Sequence, residues 1–344
     1  MEYYVGLDVS LRSCALCIVD GKGVVLFERE LPCDVNEIAD CLSGFAHPIE
    51  RVGFEAGAMS QHLFFGLTEE GFDVVCMEAR QVNAALSAMR NKTDRTDARG
   101  IAQILRTGWF SPVHMKSREA HGLRALLSTR KALLKKTIDL ANEVRGLLKV
   151  FGIRLPQTVK HGNFDGVVRP MIEIDDILAH ALVPLLDARV ILYQHYLELD
   201  RRVKRAASQD EICMRFMTVP GVGPITALTF KAAVDDPSRF KKSRTVAAHF
   251  GLTPRRYQSG EHDNPGRISK AGDRDVRATL YAAANALLMR TMSISQIKSW
   301  GMRLIRTKGR RRAVVAVARK LAVLLHRMWV DGTEFRQEQV GGKA

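Results

Sequence analysis

Two long runs with helical apolar spacing divide this chain and limit what it can fold into. From about Ser117 to Phe151, Leu123, Leu126, Leu127, Leu133, Leu134, Ile138, Val144, Leu147 and Leu148 recur at helical intervals. From about Asp175 to Ala207 the spacing returns with Ile177, Leu182, Leu186, Val190, Tyr193, Tyr196 and Val203. Between them, Arg154 to Asp165 carries Pro156 and Gly162, which interrupt a helix. Two such helices around one loop predict an antiparallel hairpin with spare apolar surface, of the kind that commonly dimerises. Packing on the chain's own domains would use the same surface.

Upstream the apolar pattern is that of short strands. Tyr3 to Leu7, Ala15 to Val19 and Val24 to Phe27, the last after an Asp20-Gly21-Lys22-Gly23 turn, predict an antiparallel meander. A helix over Asp34 to Phe45, a strand Arg51 to Glu55, a helix Ser60 to Glu70 and a strand Phe72 to Met77 follow, so an α/β domain with a mixed sheet is expected. Asp8 and Glu55 each stand at the C-terminal end of a strand, where open α/β sheets place their sites. Next comes Asn91 to Gly100, with Asp94 and Asp97 three residues apart at the start of an apolar periodic run. On a helix they share a face, with Cβ atoms roughly 5 to 6 Å apart. Two carboxylates that close repel each other or share a proton unless a cation faces them. The ordinary explanation is a capping box, with Asp94 as N-cap and Asp97 at the third helical position.

Downstream, Val219-Pro220-Gly221-Val222-Gly223 before a helical run Pro224 to Ala233 predicts the hairpin of a helix-hairpin-helix element, with Gly221 and Gly223 letting the backbone approach a phosphate. Gly251 to Gly260 (Gly-Leu-Thr-Pro-Arg-Arg-Tyr-Gln-Ser-Gly) opens a polar loop reaching to Pro265, followed by Ser269-Lys270-Ala271-Gly272. Ser259, near Arg255 and Arg256, has the surroundings a hydroxyl needs to attack a phosphodiester, although a serine beside glycine is more often a turn residue. Trp300 to Val330 contains Arg303, Arg306, Lys308, Arg310, Arg311, Arg312, Arg319, Lys320 and Arg327 without one Asp or Glu. A one-sign stripe on an apolar helix suits a nucleic-acid backbone better than a solvated face, which mixes signs.

Composition agrees. A formal net charge of +15 draws the chain to polyanions, with salt-sensitive binding. No apolar run is long enough for a membrane span, and Met1 to Leu7 lacks the features of a signal peptide, so a cytoplasmic protein without a membrane partner is expected. Six cysteines make no disulfide framework. Cys14 and Cys17 have C-x-x-C spacing within a strand, where residues three apart face opposite ways; they are expected to be core thiols, not zinc ligands.

Val5-Gly6-Leu7-Asp8-Val9-Ser10, then Glu55-Ala56-Gly57, then Lys92-Thr93-Asp94-Arg95-Thr96-Asp97-Ala98 resemble the D-E-D-D pattern of the RuvC-like domain in the DEDD insertion-sequence transposases, relatives of Piv-type DNA invertases. Pro220 to Gly223, Gly251 to Gly260 and Ser269 to Gly272 resemble the C-terminal transposase domain of that family, in the family order. The resemblance implies an RNase H-like domain over 1–112, a helical oligomerisation arm over 113–210 and a mostly helical transposase domain over 211–335, and the remaining 336–344 reads as a disordered tail. It further implies that Asp8, Glu55, Asp94 and Asp97 bind Mg2+ (or Mn2+), with Ser259 the nucleophile of a covalent serine–DNA intermediate. Donor and target DNA would be chosen by a structured bridge RNA, and a homodimer would assemble to a tetramer on the bacterial nucleoid. Gly221, Gly223, Arg255, Arg256, Lys270, Arg310, Arg311 and Arg312 are the expected nucleic-acid contacts. Three other readings compete. A Holliday-junction resolvase or nuclease would use the carboxylates to activate water. A sugar-kinase or actin-like ATPase would use Gly6 to Ser10 as a phosphate loop but offers no convincing second one. A purely architectural binder would leave four carboxylates unexplained.

Overall fold

The computed structural model describes residues 1–87, 93–173, 175–259, 262–292 and 295–336, with side chains described outside 256–265. The chain divides into two units, Met1–Lys116 and Ser117–Ala344.

In the first unit, runs of buried β-branched and aliphatic residues form β1 (Tyr3–Val9), β2 (Ser13–Asp20) and β3 (Val25–Pro32). Short α1 (Val35–Ser43) leads to β4 (Arg51–Glu55), then α2 (Ser60–Glu69), β5 (Val74–Met77), α3 (Ala79–Leu86) and α4 (Asp94–Thr107). The five strands lie in the order β3-β2-β1-β4-β5, antiparallel through β3-β2-β1 and parallel through β1-β4-β5. The expected meander within a mixed sheet is therefore present. One face of the sheet (Val5, Leu7, Cys14, Leu16, Ile18, Phe54) packs against Ile38 and Leu42 of α1 and Leu63 and Leu67 of α2. The other face takes α4, through Ala98 and Ala102 against Ala15, Cys17 and Val19, and through Ile101 and Leu105 beside Met77.

The close seat of α4 depends on two glycines. Gly6 of β1 and Gly53 of β4 are register partners and so leave adjacent bare positions on one face. A Cβ on Gly6 would lie 2.2 Å from the Ala98 carbonyl oxygen and 2.3 Å from the Ala102 nitrogen, and one on Gly53 would lie 2.9 Å from the Leu105 methyls. Cys14 and Cys17 fall into cores on opposite faces, as their strand spacing requires. Burial pushes their thiols up to about 12 and about 11. They are inert core residues, not zinc ligands.

The second unit begins with α5 (Arg118–Val150) and α7 (Asp176–Gln209), which pack together and are joined through α6 (Phe164–Ile172). The interruption between the long helices thus contains a helix of its own, which the sequence pattern did not suggest. Arg189 of α7 is 0% exposed there. It pairs with Asp165, donates to the His161 carbonyl at 2.8 Å, and stacks 4.5 Å from the Phe164 ring centroid. Elsewhere along the α5–α7 pair, Leu123, Leu126 and Leu127 of α5 and Val203 and Ala207 of α7 join one core with the C-terminal helices. These are α8 (Glu211–Met217), α9 (Pro224–Val234), α10 (Ser243–His249), α11 (Arg274–Met289), α12 (Gln296–Lys308) and α13 (Arg310–Asp331). The basic segment is therefore two helices divided at Gly309, not one. No helix among the described residues is long and apolar enough to cross a membrane.

The region read as a loop after Gly251 instead forms an antiparallel pair, β6 (Pro254–Ser259) and β7 (His262–Ile268), with Ser259 opposite His262. Pro265 lies within β7, and a two-stranded sheet tolerates it because both strands are edges. Gly260 and Glu261 lie outside the described residues.

Candidate active site and nucleic-acid interface

Asp8 and Glu55 occupy the same end of two neighbouring parallel strands. The last register pair between β1 and β4 is Leu7 with Phe54, so the carboxylates follow one step beyond it, both half-buried. The direction of α4 brings the other two acids to that edge. Its Ala98 lies against Gly6 near the strand's C-terminal end. Further along, the Gln103 side-chain amide donates to the Gly23 carbonyl at 2.7 Å and Arg106 Nη1 donates to that of Gly21 at 3.2 Å, at the β2–β3 turn. Since that turn sits beside the start of β1, α4 runs antiparallel to β1 and its N-terminus meets the Asp8–Glu55 edge. Asp97 is 7% exposed there and Asp94 is exposed.

The capping explanation of this acidic pair does not hold. The N-cap is Thr93, whose Oγ1 accepts from the Thr96 amide at 3.2 Å, while Thr96 Oγ1 accepts from the Thr93 amide at 2.9 Å. A threonine pair closes the box, which leaves Asp94 at the first helical position and Asp97 at the fourth, with no capping role. Both still gain from the helix dipole. The roll of α4 is set by Arg95 and Arg99, which meet Glu28 of β3 at 2.9 and 3.0 Å. On the other side of the edge, Asn83 of α3 donates to Glu55 Oε1 at 2.8 Å and to its own helix at the Ala79 carbonyl at 2.9 Å. Thr93, Thr96, Asn83, Gly6 and Gly53 are thus supports of this edge that motif reading passed over. Thr93 and Thr96, at N-cap and third helical position, carried the signal in the sequence itself.

The acidic side chains on these elements offer carboxylate oxygens, the donors that suit a hard divalent ion such as Mg2+ better than a thiolate-preferring one. Among the described residues no three His, Cys, Asp or Glu side chains form a group that could hold a metal ion as they stand. The chemistry of the donor set fits the ion; the backbone brings the carboxylates to one edge without drawing their side chains together.

Ser259 ends β6 in the second unit; its side chain and that of Arg256 lie outside the described residues. Arg255 Nη2 donates to the Ser269 carbonyl at 3.3 Å. Gly221, at φ +88, packs on α11: a Cβ would lie 2.6 Å from the Ala283 carbonyl oxygen and 2.7 Å from the Leu287 nitrogen. It therefore has a packing reason to be glycine that is independent of any phosphate. A Cβ on Gly223, by contrast, would meet nothing within 4 Å, and Pro224 opens α9 directly after it. Arg310 donates to Asn285 of α11 at 2.9 Å. Arg311, Arg312 and Lys270 line a cavity of about 1440 Å³ in the second unit, together with Arg244, Arg267, Trp300, Arg319 and Lys320. Arg244 sits far from the basic segment in sequence, so only folding reveals its membership.

Residues 213–299 match the family described as Transposase IS116/IS110/IS902 family, and residues 5–153 match a DEDD transposase family of the IS110 type. The transposase for insertion sequence element IS1111A of Coxiella burnetii is 31% identical over 93% of this chain and 88% of its own length. The transposase for insertion sequence element IS1328 of Yersinia enterocolitica is 28% identical over 71% of this chain and 74% of its own. A solved structure, T. thermophilus RuvC in complex with Holliday junction substrate, aligns with 33% of this chain and 100% of its own at 16% identity and a TM-score of 0.26, below the level at which a shared fold is shown.

Proposed function

This chain belongs to the IS116/IS110/IS902 transposase family, and from that premise we propose that it recombines DNA through a covalent serine intermediate at a metal-dependent carboxylate site. The observation that carries the reading is the delivery of Asp94 and Asp97 by α4 to the strand edge that bears Asp8 and Glu55, with capping already satisfied by Thr93 and Thr96. Acidic side chains carried to one edge offer the oxygen donors that a hard divalent ion takes.

In this reading Asp8, Glu55, Asp94 and Asp97 hold a divalent ion, Mg2+ or Mn2+, which supplies charge to neutralise the phosphate under attack. Asn83 fixes one oxygen of Glu55 and so orients that carboxylate. Ser259 Oγ attacks the phosphorus of donor or target DNA; a serine–phosphate ester forms as the phosphorus–oxygen bond to the neighbouring nucleotide breaks, and that oxygen leaves as a hydroxyl with the proton lost by serine. The ester keeps the energy of the broken bond, so rejoining to a new strand requires no nucleotide cofactor. Sequence choice comes from a bridge RNA by base pairing, while the basic C-terminal surface reads backbone and shape. In this reading the protein works on nucleic acid as a dimer or tetramer.

The test is an adduct assay. Wild-type protein with its donor DNA and Mg2+ should give a protein–DNA species stable to SDS and heat, and Ser259→Ala, Asp94→Ala or chelation by EDTA should each abolish it. An adduct that survives Ser259→Ala would refute the nucleophile. Free cleaved ends without any adduct would instead favour a resolvase-type hydrolysis by metal-activated water.

A further inference from the structure

The cavity in the second unit is built from parts that suit more than a phosphate backbone. Arg311, Arg312, Arg319 and Lys320 of α13 line it from one side. Arg244 of α10 and Arg267 and Lys270, at the foot of the β6–β7 pair, line the rest. Among the described residues none of these cations forms an ion pair with a carboxylate, and no Asp or Glu lines the cavity. So many like charges around one cavity raise a strong field for an anion.

Between the cations the walls are apolar, with Leu252, Ile268, Val315, Val323 and the Trp300 indole. Lys320 Nζ lies 4.9 Å from the Trp300 ring centroid, so an aromatic face and a charge enter the cavity as one unit. Lys270 is one of two described non-glycine residues with positive φ, at +57. It is held there by its amide donating to the Gly251 carbonyl at 3.1 Å, and by Arg277, whose Nη1 donates to the Ala271 carbonyl and, at 3.0 Å, to that of Gly272. A strained conformation over-determined by its surroundings is a mark of a functional contact.

Building on the reading above, we propose that this cavity holds an unpaired nucleic-acid segment, with its phosphates on the α13, α10 and Lys270 cations and a base against Trp300. A duplex hides its base faces in its own stack and would leave the apolar wall uncovered, whereas an unpaired strand offers a π-face for every base. Pro254 and Ile268, which pair at the open end of β6 and β7, line the same cavity. Ser259 ends the strand that Pro254 begins, five residues on, or roughly 17 Å at strand rise. The cavity therefore sits where it can hold a strand leading toward the serine.

The experiment reads binding alone, without divalent metal, so it is independent of the serine adduct. The chain has three tryptophans. Trp109→Phe with Trp329→Phe leaves Trp300 as the reporter. Oligothymidylate and oligouridylate should quench its emission, and a duplex of equal length should quench it much less. In the otherwise wild-type chain, Trp300→Leu should weaken single-strand affinity roughly tenfold with little change for duplex. Arg319→Gln, an exposed change that leaves the core intact, should lower the salt slope of single-strand binding by about 0.7. Tighter binding of the RNA would identify the segment as RNA, and tighter binding of the DNA as a displaced DNA strand; both support an unpaired strand. Equal quenching by duplex, or single-strand affinity unchanged in both variants, would overturn the proposal while leaving the adduct chemistry standing.

Discussion

Gly6 shows how much of the acidic edge rests on one missing side chain. With Ala98 and Ala102 backbone atoms 2.2 and 2.3 Å from a built Cβ, Gly6→Ala cannot be absorbed by a rotamer change. The helix itself must move, at a cost of at least about 3 kcal/mol, the upper end of ordinary overpacking. Denaturant unfolding should register that loss, together with loss of adduct formation, because α4 carries Asp94 and Asp97. A Gly6→Ala protein of wild-type stability would show that α4 is seated otherwise. Thr93→Ala is a gentler version: removing the cap should cost about 1 kcal/mol and reduce activity through a frayed first turn. Asp97→Asn should abolish the adduct in the SDS assay, since its proposed role is charge toward the metal. These supports differ in how readable they are. Asp8, Glu55, Asp94 and Asp97 stand out by spacing and element ends, whereas Gly6 and Gly53 acquire their meaning only when β1 and β4 become neighbours.

At the scale of elements, the α5–α7 pair is tied by Asp200, which accepts from Arg130 Nε at 2.7 Å and meets Lys204 at 2.7 Å. Burial pulls the Asp200 carboxyl up, but the hydrogen bonds and charges of Lys204 and Arg130 together outweigh it and hold the group below the usual carboxylate range. A folded-state value below the unfolded one means that the native state binds this proton less readily. The resulting stability is fully present above the unfolded value, near about 3.9, and is lost as pH falls through the lower folded value. Acid titration of the thermal midpoint should show that loss, and Asp200→Asn should diminish it while costing about 1 to 3 kcal/mol at neutral pH. An unchanged acid profile in the variant would mean that Asp200 is not the group responsible. Both long helices were legible from leucine spacing alone, because a run of that length averages out local irregularity. The β6–β7 pair was not, because its Gly and Pro residues carry the local signal of a loop and only cross-strand pairing overrides it.

For the whole molecule, the hairpin leaves Val150 81%, Phe151 51%, Ile177 78% and Ile191 55% exposed. If this surface serves assembly, Val150→Asp with Ile177→Asp should lower the mass measured by light scattering to that of a monomer while preserving the helical signal. A variant of unchanged mass would place the interface elsewhere.

Local pattern was enough to read the element types over most of the chain, the spacing of the acidic residues and an attraction to polyanions. These follow from periodicity, residue chemistry and a net charge of +15, all local or additive quantities. Only the folded chain settles that α4 is seated on Gly6 and Gly53, that Gly221 is held by packing on α11, and that Arg244 joins Trp300 and the α13 cations around one cavity. Each of these depends on which atoms distant in sequence come within contact distance. The stretch that resembles a helix cap by its aspartates is capped instead by Thr93 and Thr96, with Asp94 and Asp97 in the first turn of α4.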